Sequence, residues 1–264
     1  MFISFLLIYM LLGAVVGFLS GLLGIGGGLV IVPVLVYLLP LLEINTSLVM
    51  PIALATSLSS IVVTSSSAVW AHHKNKNIPW RLTRRILLSV ALGALAGSYI
   101  ADSLSARMLT NIFAIAVILL ASYMIFSIKV INDRPLPNNV ILRTIGFLTG
   151  GIASLMGISG GAILIPTLTY FGMSLRQTIG VATSCGLMVA LFGTLGYIIT
   201  GFKQADLPEY SFGYVYLPVL IGIISTSSLL APYGVKLATK LPVQTLKKYF
   251  AAFLIVVATK MILS

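Results

Sequence analysis

Among 264 residues the chain has one cysteine, two histidines and five acidic residues, and each scarcity removes a class of function. The lone Cys185 has no partner for an intramolecular disulfide, and the Cys and His clusters of a metal site are missing. No Asp, Glu, Lys or Arg falls near the middle of any apolar run, which leaves no proton relay and no charged coordination site. An intramembrane enzyme using Cys185 as nucleophile would lack a His, Asp or Lys at its depth to activate the thiol. Only 8% of residues are charged, too few to clothe a soluble globule.

What is present is apolar. Hydrophobic residues make up 59% of the chain, and mean hydropathy is +1.11, as in a polytopic membrane protein. The start, MFISFLLIYM, has no basic residue ahead of its apolar run and reads as a first membrane segment, not a cleaved signal. A net charge of +11 would suit nucleic acid elsewhere. Here the basic residues sit in short loops beside apolar runs, where they report membrane orientation, so no nucleic-acid partner is expected.

The stretch GLLGIGGG, Gly21 to Gly28, interrupts the first apolar run, and GGIASLMGISGG does nearly the same from Gly150 to Gly161. Aligning Gly17 with Gly150 gives eight identities in nineteen positions, among them Gly24/Gly157, Gly27/Gly160, Gly28/Gly161 and Pro33/Pro166. Further on, Ala55-Thr56-Ser57 answers Ala182-Thr183-Ser184. The chain is an internal duplication: a first membrane repeat over 1–131, a polar, proline-containing linker over 132–140 and a second repeat over 141–264.

Each repeat divides into five helical segments, at about 2–22, 28–42, 47–71, 82–101 and 108–128, then 142–157, 161–172, 175–201, 213–230 and 241–263. The expected fold is an all-α polytopic membrane protein. An odd count per half makes the repeats inverted. With the loop His72 to Arg85 placed in the cytoplasm, all of the 16 Lys and Arg except Arg107, Lys203 and Lys260 fall inside, and all of the five acids except Asp133 fall outside. Both termini then lie outside. Fusing the first two segments of each half leaves fewer basic residues inside. Trp70 and Trp80 bracket the basic loop as interfacial aromatics do.

The second segment of each half is too short to span about 30 Å of hydrocarbon. Helix, glycine turn and short helix are therefore expected to form hairpins with apices near the midplane, where irregular backbone survives only if protein buries it or water lines it. Each short helix begins at its apex and turns free N–H groups and a positive dipole end inward, a ready anion site. The candidate binding groups are Gly26, Gly27 and Gly28 from one apex and Ser159, Gly160 and Gly161 from the other. Thr56, Ser57, Thr183, Ser184 and Cys185 share their level, about 13 to 15 Å into their helices. Two blander readings stay open: the glycines allow close helix packing, and the hydroxyls bond carbonyls of their own helices. Asn45 is a helix cap or a contact to solute.

GLLGIGGGLVIVPVL, its echo SLMGISGGAILIPTL and the Ala-Thr-Ser elements resemble the TauE/SafE family of sulfite exporters and toluenesulfonate uptake permeases, and the resemblance runs the whole chain. It implies a cytoplasmic-membrane permease for sulfite, sulfoacetate or other organosulfonates, with no cofactor. Its partners are the anion and the bilayer, and association into a homo-oligomer stays open. An anion channel and a purely structural membrane subunit are the rival classes.

Overall fold

The computed structural model describes residues 2–23, 27–126, 136–238 and 243–263. Ten α-helices follow in order among them. These are α1 (Phe2–Leu23), α2 (Gly28–Leu38, continued by a 3₁₀ turn over Leu39–Leu42), α3 (Thr46–Lys74), α4 (Trp80–Ser103) and α5 (Ala106–Phe126), then α6 (Asn139–Leu155), α7 (Gly161–Tyr170), α8 (Leu175–Gly201), α9 (Leu217–Ala238) and α10 (Val243–Leu263). Among the described residues, α3, α4, α5 and α8 are long and apolar enough to cross a membrane. The short α2 and α7 have 11 and 10 residues, about 15 Å each and half a bilayer core.

Local chemistry sets the ends. Asn45 caps α3 by accepting from the Ser47 amide at 3.1 Å, and Asn138 caps α6 by accepting from the Ile141 amide at 2.9 Å. Glu43, at φ 59°, closes the 3₁₀ turn in the left-handed region.

The expected segments correspond to helices one for one, but their bounds differ: α6 stops at Leu155, α7 at Tyr170, and α9 runs on to Ala238. Residues 213–216, assigned from the sequence to the ninth helix, belong instead to a β-hairpin of β1 (Ser211–Phe212) and β2 (Val215–Tyr216), and α9 starts at Leu217. The fold is thus helical with one small antiparallel ribbon. Its two-residue turn begins at Gly213, φ +57°, a position where tight hairpin turns need positive φ.

The core of the bundle is α3 packed on α8, the two helices that carry the Ala-Thr-Ser elements. From Leu48 to Ile61 α3 is buried without a break. Around this pair, α1 lies along α9, α4 along α6 and α5 along α10, while α2 rests on α3 and α7 on α8. Exchanging the two halves turns the α1/α9 contact into the α6/α4 contact.

Glycines bring these backbones together. Gly13 and Gly17 of α1 face Ile223 and Ser227 of α9, and a Cβ on Gly13 would stand 2.7 Å from the Ile223 Cα. Gly93 and Gly97 of α4 face Phe147 and Gly151 of α6, and Gly146 and Gly150 of α6 face Ile86 and Val90 of α4 in return. These are small-xxx-small seams. Close packing therefore accounts for these glycines.

Candidate functional site

The site is built from the end of α6 upward. After Leu155 the backbone turns at Gly157, whose φ of +60° is left-handed. The Gly157 amide donates to the Ser154 carbonyl at 3.1 Å, and the Ile158 amide donates to the Ala153 carbonyl at 3.0 Å. Those two bonds are a Schellman C-cap, which stops α6 and satisfies its last carbonyls. Three residues later Gly160 begins α7, its carbonyl taking the Ile163 and Leu164 amides. No side chain caps this helix, and none caps α2 at Gly27. Both short helices start at a glycine that brings no side chain of its own, and each turns the positive end of its dipole toward that start.

The two glycine elements meet. A Cβ on Gly28, the first residue of α2, would lie 3.0 Å from the Ile158 Cα, and one on Gly157 would lie 3.0 Å from the Leu54 Cα of α3 and 3.1 Å from the Val32 Cγ2 of α2. Ser57 ties α3 to the same turn by donating to the Gly157 carbonyl at 2.7 Å. On the other side Ser159 packs against Gly186 of α8, where a Cβ would stand 3.1 Å from its own Cβ. A Cβ on Gly160 would be 3.1 Å from the Thr149 Cγ2, and one on Gly161 would find open contact with Ala182 at 3.9 Å. Gly28, Ser57 and the Gly157 turn thus form one cluster, and Ser159, Gly160 and Gly161 lie beside the 182–186 stretch of α8. Gly26 lies outside the described residues.

The hydroxyls named from the sequence differ in what their protons do. Thr183 donates to the Ile179 carbonyl at 2.7 Å and Ser184 to the Gly180 carbonyl at 2.9 Å, each one turn back along α8. Thr56 behaves differently: fully buried, it accepts from the Tyr216 amide of the β-hairpin at 3.1 Å and donates to no described residue. Cys185 is fully buried and unbonded to another cysteine. The buried polar side chains of the described residues other than tyrosine and cysteine are all serine or threonine, so the interior offers dipoles in place of fixed charge.

Sequence reasoning missed the hairpin and its partners. The Tyr214 hydroxyl donates to the Asp102 carboxylate at the end of α4 at 2.8 Å. The Tyr214 ring meets that of Tyr197 edge to face, and the Tyr197 hydroxyl reaches the Ser154 carbonyl at 3.3 Å. Burial first, and then the bond to Asp102, raises the Tyr214 phenol above its ordinary value, so at neutral pH it stays a donor. The signal was present in YSFGYVY, Tyr210 to Tyr216, an aromatic and β-branched run around a single glycine.

Comparison with known proteins follows the same lines. The chain is 41% identical over 263 residues to a probable membrane transporter protein of Haemophilus influenzae, covering 98% of this chain and 99% of the relative. It is 27% identical to a probable membrane transporter protein of Methanocaldococcus jannaschii, covering 99% and 97%. With a probable membrane transporter protein of Bacillus subtilis it shares 25% identity over 74% of this chain and 78% of the relative. No solved structure matches the chain. The family model described as sulfite exporter TauE/SafE matches residues 9–261, and with glycine turns, short helices and transporter relatives in agreement from end to end, the chain belongs to the TauE/SafE family of membrane transporters.

Proposed function

We propose that this protein is a cell-membrane permease that moves a small sulfur-containing anion, sulfite or an organosulfonate, by alternating access. Its two repeats run in opposite senses through the membrane, and both termini lie outside. The observation that carries this reading is the contact of Gly28, the first residue of α2, with the Gly157–Ile158 turn that leads into α7. Helix N-termini favour anions through aligned N–H groups and a partial positive charge. Thr56 adds a hydroxyl whose proton has no described acceptor. A site made of dipoles holds an oxyanion without the fixed charge that would trap it.

The energetics follow from the same composition. With no Asp, Glu, His, Lys or Arg buried among the described residues to carry a proton, an inside-negative potential is left to drive the anion outward, at about 2.3 kcal/mol per charge per 100 mV. Export then needs no coupling ion. Proteoliposomes are the test: sulfite flux should saturate with concentration and respond to an imposed potential without any pH or sodium gradient. Accumulation that requires such a gradient and ignores potential would refute the energetics. Flux of sulfite and sulfoacetate no greater than in empty vesicles would refute the substrate class, and unitary currents would make the protein a channel.

A further inference from the structure

A connection between two membrane helices ordinarily runs over the surface, because buried loop backbone lacks partners. The segment between α8 and α9 does the reverse. Its hairpin turns inward, with Gly213, Tyr214 and Val215 all buried. Three separate elements hold it: Thr56 of α3 takes the Tyr216 amide, Asp102 of α4 takes the Tyr214 hydroxyl, and the Tyr197 carbonyl of α8 takes the Tyr214 amide at 3.4 Å. Thr56 lies ten residues beyond the start of α3 at Thr46, roughly 15 Å along the helix. The hairpin therefore reaches to the level of a proposed anion ligand.

The opposite end of the bundle has a counterpart. The connection from α3 to α4 folds back at Lys76, φ 55°, buries Ile78 and sets the Asn77 backbone against Gly180 of α8, where a Cβ would stand 3.0 Å from the Asn77 carbonyl carbon. Each repeat thus sends the segment after its third helix onto the third helix of the other repeat. Only the hairpin touches a candidate ligand.

We propose that the hairpin 211–216 is the gate on its face of the membrane, with the Tyr214–Asp102 bond as its latch and the Tyr216 amide as a positioning group for Thr56. While the hairpin is seated, its amide fixes the Thr56 oxygen and so aims the remaining proton. When it lifts, the path to the site opens and the hydroxyl loses its orientation, so entry and binding are coupled through one hydrogen bond. The inference rests on the transporter reading, but its first test needs no substrate.

That test places a cysteine at Val215, which is 3% exposed, and follows its reaction with a membrane-impermeant thiol reagent in reconstituted vesicles. Val215→Cys should label slowly and from one face only. Adding Tyr214→Phe, which removes the latch hydroxyl, should raise the rate roughly ten- to a hundredfold, the worth of a hydrogen bond to a charged acceptor. Asp102→Asn, which keeps an acceptor, should raise it several-fold and serves as the second variant if the first fails to fold. Joining Asp102→Cys to Tyr214→Cys with a cleavable bifunctional reagent should stop sulfite flux until the link is reduced, with the parent protein controlling for the buried Cys185. A labelling rate that neither latch variant changes, or flux that persists with the hairpin pinned, overturns the gate. Absence of sulfite flux in the parent would instead count against the substrate, leaving the labelling result to decide the gate.

Discussion

Replacing Gly157 by alanine should be the most damaging single methyl in the site, and two terms set its size. The residue sits at φ +60°, and an L side chain in that region costs about 1 to 2 kcal/mol. The new Cβ would also lie 2.9 Å from the Leu54 Cδ2, 3.0 Å from the Leu54 Cα and 3.1 Å from the Val32 Cγ2. Overpacking of this kind costs about 1 to 3 kcal/mol. The sum is roughly 2 to 5 kcal/mol. Gly157→Asn relieves the backbone term, since asparagine tolerates the left-handed region, but its larger side chain adds to the crowding. Gly161→Ala is the control: its added Cβ finds nothing nearer than 3.5 Å. Thermal melting in detergent should rank the control level with the parent and both Gly157 variants well below it. If Gly157→Ala melts with the control, the turn is not held as described and the contact between the two glycine elements loses its significance.

Three further expectations follow from the hydroxyls and the loops. Thr56→Val should weaken sulfite binding by about 1.5 to 3 kcal/mol, ten- to more than a hundredfold, because it removes a proton free to meet the anion; calorimetric titration reads this directly. Thr183→Val should cost much less, since its proton already serves the Ile179 carbonyl, and an equal loss in both variants would refute that distinction. A cysteine at Asn75 should react with an impermeant reagent only from the cytoplasm and one at Ala205 only from outside; labelling of both from one face would end the inverted arrangement.

Much of the architecture was legible because membrane helices announce themselves by length and by what interrupts them. The basic loop between α3 and α4, the proline-containing linker and the two glycine clusters separate apolar runs too long to misplace, and Asn45 marks the start of α3 by ordinary capping chemistry, while the Asn138 cap of α6 was not read from the sequence. The hairpin escaped because Tyr214, Val215 and Tyr216 are as apolar as the helix they precede, and hydropathy does not distinguish a buried ribbon from a first helical turn. The hydroxyl roles were less legible still. Ser57, Thr56, Thr183 and Ser184 look alike in the sequence, and nothing local tells that one reaches a carbonyl 100 residues away while two fold back on their own helix. Thr56 differs only because of a loop whose shape was not foreseen.

The seams of α1 with α9 and of α4 with α6 restrict how the molecule can move. Each seam is made where glycine lets two backbones touch, and sliding it would drive side chains into main chain. Each also joins the first helix of one repeat to the fourth of the other. The boundary between repeats in the sequence is consequently not a mechanical boundary. A rocking motion that carried residues 2–126 past residues 136–263 would have to break both seams together. The pieces free to shift as rigid bodies are mixed, each drawing helices from both halves of the chain. The exchanged pairing means that neither half of the chain could act as a moving unit by itself.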